Sequence, residues 1–185
     1  MDARKAKGTV LLDFIRMIKA NKQLDWSNYL KPEDWEVFDS IILPAKWYPF
    51  DLYYRCSFAV FNVLGKGDME VARAFGQSLA KKLFETTYTS MVQRKDPMLG
   101  LQHFAQTYGS MFNFSLVRME KVGPRHARMF HDFDATDKGN DAYGQQLKGM
   151  FEVLVQKTGG KNGRVEIGAK QWEGASATSF EVTWE

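Results

Sequence analysis

Histidine and cysteine side chains are the groups of this chain best suited to hold a metal ion or to act as a nucleophile. His103 lies in the middle of a predicted helix, whereas His126 and His131 lie on one predicted strand. Their odd spacing puts His126 and His131 on opposite faces of that strand. The single cysteine lies elsewhere, so the chain has no Cys/His zinc pattern. We therefore predict no metal site and two ordinary surface or edge histidines.

The single cysteine, Cys56, lies on the apolar face of the most hydrophobic predicted helix. Burial raises the pKa of a thiol and leaves little reactive thiolate, so we predict a small core residue and not a nucleophile. A lone cysteine excludes an internal disulfide and fits a reducing compartment. With no signal-type apolar region and no apolar run of about 20 residues, we expect a cytoplasmic protein without a membrane span.

Two further patterns resemble ligand sites but fail in detail. Four aspartates crowd the loop before the last predicted helix: Asp132, Asp134, Asp137 and Asp141. A calcium loop starting at Asp132 would require Asp or Asn at Thr136, so we predict a solvated acidic loop. The glycines at 65–67 and 159–160 follow helices, whereas phosphate loops follow a strand and open a helix. We find no catalytic set and expect neither enzyme activity nor a cofactor.

Composition indicates an ordinary globular protein. Of 185 residues, 44% are hydrophobic and 25% are charged, values typical of a single folded domain. The formal net charge of +3 is small and scattered, which argues against nucleic-acid binding. The most basic stretch contains Arg4, Lys5 and Lys7. We predict a flexible basic tail over residues 1–7 and a single domain over residues 8–185.

Hydrophobic periodicity places helices and then strands along the chain. The predicted helices are Thr9–Asn21, a segment from Pro32 to Pro44 that buries Ile41 and Ile42, Asp51–Leu64, a long helix after Asp68, a helix after Asp96-Pro97 that reaches Phe112, and Asp141–Lys157. The predicted strands are Phe114–Val122 and His126–Phe133 around a turn, then Val165–Ile167 and Phe180–Trp184.

These elements predict an α+β fold, in which five or six helices pack on a four-stranded antiparallel sheet within a single domain. Helices would cover one face of the sheet. The other face also needs cover, which a second subunit would supply. We therefore expect a homodimer.

Aromatic residues make up 14% of the chain, a surplus typical of an apolar cavity or a partner surface. Residues 43–50 place consecutive aromatics between two prolines, ahead of the predicted central helix. Trp47 in this segment either fills the core or forms the rim of an apolar pocket. We predict that a ligand would contact four aromatic side chains. They are Trp47, Tyr48, Phe58 and Phe61.

Four ordered features carry a resemblance to a known family. They are Leu43–Pro49, Gly65–Asp68, Val122–Pro124, and Gly174 followed by Phe180–Trp184. Over nearly its whole length the chain resembles an uncharacterised bacterial family of about this size, which is expanded into many paralogues in myxobacteria. The matching motifs are structural turns and aromatics. The resemblance therefore implies a family but no chemistry, because that family has no established activity.

The C-terminal strand also looks like the end of 4-vinyl reductase-like domains, which belong with haem-NO-binding domains and TRAPP-type transport subunits in one ligand-binding superfamily. This resemblance implies an α+β fold, often dimeric, built around an apolar pocket. It does not imply that this chain binds haem. The haem-NO-binding family uses a histidine followed by Tyr-x-Ser-x-Arg, whereas here Tyr88-Thr89-Ser90 precedes His103 and Val92 stands at the arginine position.

We therefore expect a non-catalytic sensory or regulatory module that binds a small apolar ligand between helices and sheet. The alternative is a homodimeric protein-interaction or scaffold domain without a small-molecule ligand, in which the same aromatics fill the core or contact a protein partner.

Overall fold

The computed structural model describes residues 3–114, 117–132 and 140–185. The chain divides into two compact units. The helical unit comprises residues 1–68 and 109–114, and the sheet unit comprises residues 69–108 and 115–185. The single-domain boundary at residues 8–185 stays a prediction. No helix within the described ranges is long and apolar enough to cross a membrane.

The helical unit contains three helices and a two-stranded antiparallel sheet. These elements are β1 (Lys5–Lys7), α1 (Gly8–Ala20), α2 (Pro32–Asp39), β2 (Trp47–Pro49) and α3 (Phe50–Val63). The predicted α1 and α3 are confirmed to within one residue at each end. The apolar stripe predicted for α1 is buried, as Leu11 and Phe14 illustrate.

The N-terminal segment is a correction to the sequence analysis. Lys5–Lys7, which we predicted to lie in a flexible tail, pairs with β2 so that Ala6 lies opposite Tyr48. Ala6 is fully buried, and the Phe50 N–H donates to the Arg4 carbonyl oxygen. A strand of three residues is too short to produce a periodic pattern, which is why sequence alone missed it.

The end of α2 is a second correction. The helix stops at Asp39, and Ile41, which we predicted to be buried, is 85% exposed. The Ser40 N–H and the Ser40 hydroxyl both donate to the Val37 carbonyl oxygen. This local bonding closes the last turn and competes with helix continuation, as serine often does.

The sheet unit contains four helices and four strands. They are α4 (Met69–Thr86), α5 (Ser90–Gln93), α6 (Pro97–Thr107), β3 (Val117–Gly123), β4 (His126–His131), α7 (Asn140–Lys157), β5 (Arg164–Ile167) and β6 (Thr178–Thr183). Short 3-10 turns lie at Tyr108–Ser110 and Gln171–Glu173. The helix predicted to reach Phe112 therefore ends earlier. Of the predicted hairpin, residues 115, 116 and 133 lie outside the described residues.

Helices α4 and α7 pack closely because glycine stands at their contact points. A β-carbon added at Gly76 would lie 2.0 Å from the carbonyl oxygen of Gln146. A β-carbon added at Gly149 would lie 2.2 Å from the carbonyl oxygen of Arg73. Both distances are far shorter than a van der Waals contact, so neither position accepts a larger residue unless a helix moves.

The four-stranded sheet has the order β3-β4-β6-β5, and every neighbouring pair is antiparallel. The α+β fold with a four-stranded antiparallel sheet is therefore confirmed. The described residues form seven helices, more than the five or six predicted, because the short α5 carries no clear periodicity. A second, two-stranded sheet accompanies the predicted one.

The two faces of the four-stranded sheet differ in chemistry. The inner face is mostly apolar, and the ring of Phe180 contacts that of Phe151 on α7 at 5.3 Å between centroids. On the outer face, Arg128 on β4 lies opposite Glu120 on β3 and Glu181 on β6. Charged pairs of this kind keep a sheet face solvated. This face needs no apolar cover, and the homodimer stays a prediction.

Candidate functional site

Strand β2 separates the first two residues of the predicted ligand site. Trp47 is 37% exposed, and the Lys7 ammonium lies 5.2 Å from the centre of its indole ring. Tyr48 points the opposite way into the core, where its hydroxyl accepts a 3.0 Å hydrogen bond from the Leu43 N–H. The interpretation of Trp47 as the residue that fills the core is therefore wrong, and Tyr48 takes that place.

The other two predicted residues, Phe58 and Phe61, lie together on α3 and are half-buried. Phe50 and Tyr54 extend the same helical face toward the N-terminus, at the spacing of four residues that aligns side chains on a helix. We call Phe50, Tyr54, Phe58 and Phe61 the aromatic stripe. All four of its side chains are partly exposed, so α3 presents a row of rings along one face.

Ring contacts order the aromatic stripe. The rings of Tyr54 and Phe58 stack with 5.9 Å between centroids and 14° between planes. Phe50 lies 6.4 Å from Tyr54. Tyr29 meets Phe58 edge-on at 5.7 Å, and Phe114 meets Phe50 edge-on at 4.6 Å. Offset and edge-on pairs are the favoured aromatic geometries, so contacts with neighbouring rings hold Phe50, Tyr54 and Phe58 in place.

The opposite face of α3 anchors the helix in the core of the helical unit. Tyr53, Cys56 and Ala59 are buried there. Burial raises the pKa of the Cys56 thiol well above its usual range, so the residue is a neutral core side chain, as predicted.

An ion pair fixes α3 against α2. The Arg55 guanidinium donates two hydrogen bonds to the Asp34 carboxylate, at 2.9 and 2.6 Å. Burial alone would raise the pKa of Asp34, but the hydrogen bonds from Arg55 and from the Lys31 N–H outweigh it and lower that pKa. The Asp34 side chain is only 4% exposed, so the pair is charged and largely shielded from water.

The aromatic stripe is suited to binding and not to proton transfer. Stacked ring faces offer dispersion and quadrupole contacts to an apolar or flat ligand. Of its four members, Phe58 and Phe61 were predicted from sequence, whereas Phe50 and Tyr54 were not. The signal was present in their spacing, yet Tyr53 and Tyr54 looked equivalent on a helix with aromatics all round. The structure shows that Tyr53 is buried.

The sheet unit contains a buried polar cluster on the inner face of its sheet. His131 Nε2 lies 2.8 Å from the Tyr108 hydroxyl, and that hydroxyl is also hydrogen-bonded to the hydroxyl of Tyr143. Burial lowers the pKa of His131 to about 3, so its imidazole is neutral. His126 lies on the outer face, where its Nε2 is 2.6 Å from Glu181. The prediction that His126 and His131 face opposite sides is confirmed.

Two open clefts flank the exposed side of α6. One, of about 710 Å³, lies against β3, and its lining includes Met119 and Lys121. The other, of about 510 Å³, lies against α5. Its lining is mostly polar and includes Arg94, Gln102 and His103. This second cleft suits a small polar molecule better than an apolar one.

The metal predictions concern residues that are only partly described. Within the described ranges, no group of three or more His, Cys, Asp or Glu side chains is placed to bind a metal ion. Of the acidic loop, Asp134 and Asp137 lie outside the described residues. Asp132 accepts a hydrogen bond from Gln171 Nε2 at 2.6 Å, and Asp141 pairs with Lys170 at 3.0 Å.

Comparison with known families gives a match over residues 39–185, to the family described as protein of unknown function (DUF2378). The chain belongs to the DUF2378 family. Curated proteins give no match.

Solved structures of H-NOX proteins share the fold of this DUF2378 chain. The unliganded Fe(II) H-NOX protein from K. algicida matches with a TM-score of 0.66 and 11% identity, covering 97% of this chain and 96% of that one. The H-NOX protein from S. oneidensis in its Fe(II)NO state matches with a TM-score of 0.65 and 15% identity, covering 97% and 99%. A mutant H-NOX protein from T. tengcongensis matches with a TM-score of 0.60 and 16% identity, covering 97% of both chains. At these identities the likeness is one of fold.

The surroundings of the histidines do not fit a haem. An axial imidazole needs a ring nitrogen that faces an apolar slot wide enough for the macrocycle. His131 bonds Tyr108 and lies edge-on to the rings of Tyr108 and Tyr143. His126 bonds Glu181 on the charged outer face, and His103 faces a cleft lined mainly by polar side chains.

Proposed function

We propose that this DUF2378 chain is a non-catalytic sensory or regulatory module that binds a small apolar ligand. The observation that carries the proposal is the aromatic stripe, a row of partly exposed rings on a helix whose other face is fixed in the core. A rigid apolar surface loses little conformational entropy on binding, which favours a preformed ligand site.

The fold gives independent support. H-NOX structures of the same fold are described with Fe(II), NO and heme, so this architecture accommodates bound small molecules in those proteins. The histidines of the DUF2378 chain have surroundings unlike a haem site. We therefore propose an organic ligand other than haem, held by ring contacts and not by a metal bond.

The stripe also restricts the chemistry of that ligand. Tyr54 and Phe58 stack nearly parallel, so a flat or aromatic molecule can continue the row by offset stacking. The Tyr54 hydroxyl is the one polar side-chain group among the four members of the stripe, so affinity would come mainly from apolar area removed from water.

A fluorescent apolar probe tests the proposal. Titration with anilinonaphthalene sulfonate should show saturable binding, and Phe58→Ala and Phe61→Ala should each weaken it by about tenfold through loss of one ring. Phe130→Ala is the matched control, because Phe130 is a half-buried aromatic on the outer face of the sheet. Equal weakening by Phe130→Ala, or no effect of Phe58→Ala and Phe61→Ala, would contradict the proposal.

A further inference from the structure

A second apolar surface lies in the connection between α2 and β2. Three large apolar side chains of this segment are exposed: Ile41 by 85%, Leu43 by 53% and Trp47 by 37%. The segment includes the two-proline motif of residues 43–50, which the proposed ligand site does not use apart from Phe50. Three exposed large apolar side chains in one short segment make it a candidate interaction surface.

The connection is held in place by the start of α1. The Gly8 N–H donates to the Lys46 carbonyl oxygen at 2.9 Å, and the Thr9 N–H donates to the Pro44 carbonyl oxygen at 3.0 Å. A β-carbon at Gly8 would lie 2.2 Å from the Leu43 carbonyl oxygen, so the segment lies directly against the helix. Its apolar side chains are thus displayed by a fixed backbone.

Two lysines lie beside this segment on the neighbouring strand. Strand register places Lys7 opposite Trp47 and Lys5 opposite Pro49, on the outward side of the two-stranded sheet. The Lys7 ammonium also lies 5.2 Å from the centre of the Trp47 ring. Within the part of the chain that the structure describes, neither Lys5 nor Lys7 forms an ion pair with a carboxylate. We call Ile41, Leu43, Trp47, Lys5 and Lys7 the basic apolar patch.

We propose that the basic apolar patch binds the surface of an anionic lipid bilayer. Isoleucine and leucine side chains that project from a loop can enter the boundary between head groups and acyl chains, and tryptophan prefers that boundary. Unpaired lysines beside them attract lipid phosphates. Exposed apolar side chains beside lysines match the acyl chains and anionic head groups of such a bilayer.

Vesicle flotation tests this inference. The full chain should float with vesicles of phosphatidylcholine and phosphatidylglycerol, should bind phosphatidylcholine vesicles far less, and should be released by salt. The double substitution Lys5→Gln and Lys7→Gln should weaken binding about 25-fold, at about fivefold for each charge. Ile41→Ser and Leu43→Ser should each weaken it about tenfold, because the apolar contact with lipid is lost.

Val122→Ser is the matched control, because Val122 is 43% exposed on β3 in the sheet unit. It should float like the wild type, and thermal unfolding should confirm that every variant is folded. Failure of the wild type to float with anionic vesicles would overturn the inference, as would equal binding to neutral vesicles or an equal loss in Val122→Ser. The inference would also be overturned if the patch bound an acidic protein but did not bind vesicles. None of these results bears on the aromatic stripe.

Discussion

The aromatic stripe of α3 and the outer face of the four-stranded sheet are both half-exposed surfaces on regular elements, yet they differ in chemistry. On the sheet, Glu181 accepts hydrogen bonds from His126 and Arg128. Nearby, the Arg118 guanidinium lies 3.8 Å from the centre of the Phe130 ring. The polar groups of that face are therefore already paired with one another. The stripe offers ring faces instead.

The two surfaces therefore differ in the free-energy change that follows when another molecule covers them. Covering the sheet face would remove paired charges from water, and the desolvation cost often exceeds the attraction between them. Covering the stripe removes apolar area from water, which is favourable. A ligand site is therefore expected on α3 and not on the outer sheet face.

The shielded ion pair that fixes α3 should contribute far more to stability than an exposed ion pair. Asp34→Ala leaves the Arg55 guanidinium, whose side chain is 24% exposed, without its partner, so we expect a loss of about 3 kcal/mol in the free energy of unfolding. Urea denaturation measures this loss. Asp39→Ala is the control, because Asp39 is 68% exposed and lies 3.8 Å from Lys19. A similar small effect for both substitutions would break the distinction between a shielded pair on α3 and a surface pair.

The pH dependence of stability should reveal the same pair with a smaller effect. The pKa of Asp34 lies below its ordinary value of 3.8 in the folded state. A carboxylate with a lowered pKa stabilises the fold fully above its unfolded pKa, and the contribution is lost as the pH falls through the folded value. The stability difference between wild type and Asp34→Asn should thus be constant near neutrality and shrink below pH 3.8. Urea midpoints over this range measure it, and a difference that grows on acidification would contradict the assignment.

The outer sheet face should give the smallest effect. Burial by itself would raise the pKa of Glu181, but hydrogen bonds from Arg128 and His126 outweigh it and lower that pKa. Both partners remain in contact with solvent, and pairs of this kind contribute little. Glu181→Gln should therefore leave the urea midpoint nearly unchanged at neutral pH. A loss of stability as large as that of Asp34→Ala would contradict the expectation that the exposed ion pairs of the sheet face contribute little.

Elements with strong local signals were predictable from sequence. The N-terminus of α6 followed from Asp96-Pro97, and the Asp96 carboxylate accepts hydrogen bonds from the N–H groups of Met98 and Leu99 at 2.9 and 3.3 Å. The antiparallel sheet followed from alternation and from the turn at Gly123-Pro124. In each case, the physical cause lies within a few residues of the feature.

The features that sequence missed depend on contacts between distant residues. Strand β1 exists because it pairs with β2, far along the chain. Tyr48 rather than Trp47 fills the core because the register of that pairing decides which of the two side chains points inward. Tyr53 and Tyr54 differ because packing, and not composition, decides which face of α3 is buried.

Native mass spectrometry of the chain purified from its own host, followed by denaturing extraction of bound molecules, tests ligand binding on α3 most directly. The account predicts a stoichiometric apolar organic molecule in the wild type and in Phe130→Ala, and its loss in a Phe58→Ala and Phe61→Ala double variant. A wild-type chain that carries no small molecule, or a molecule retained by the double variant, would contradict it.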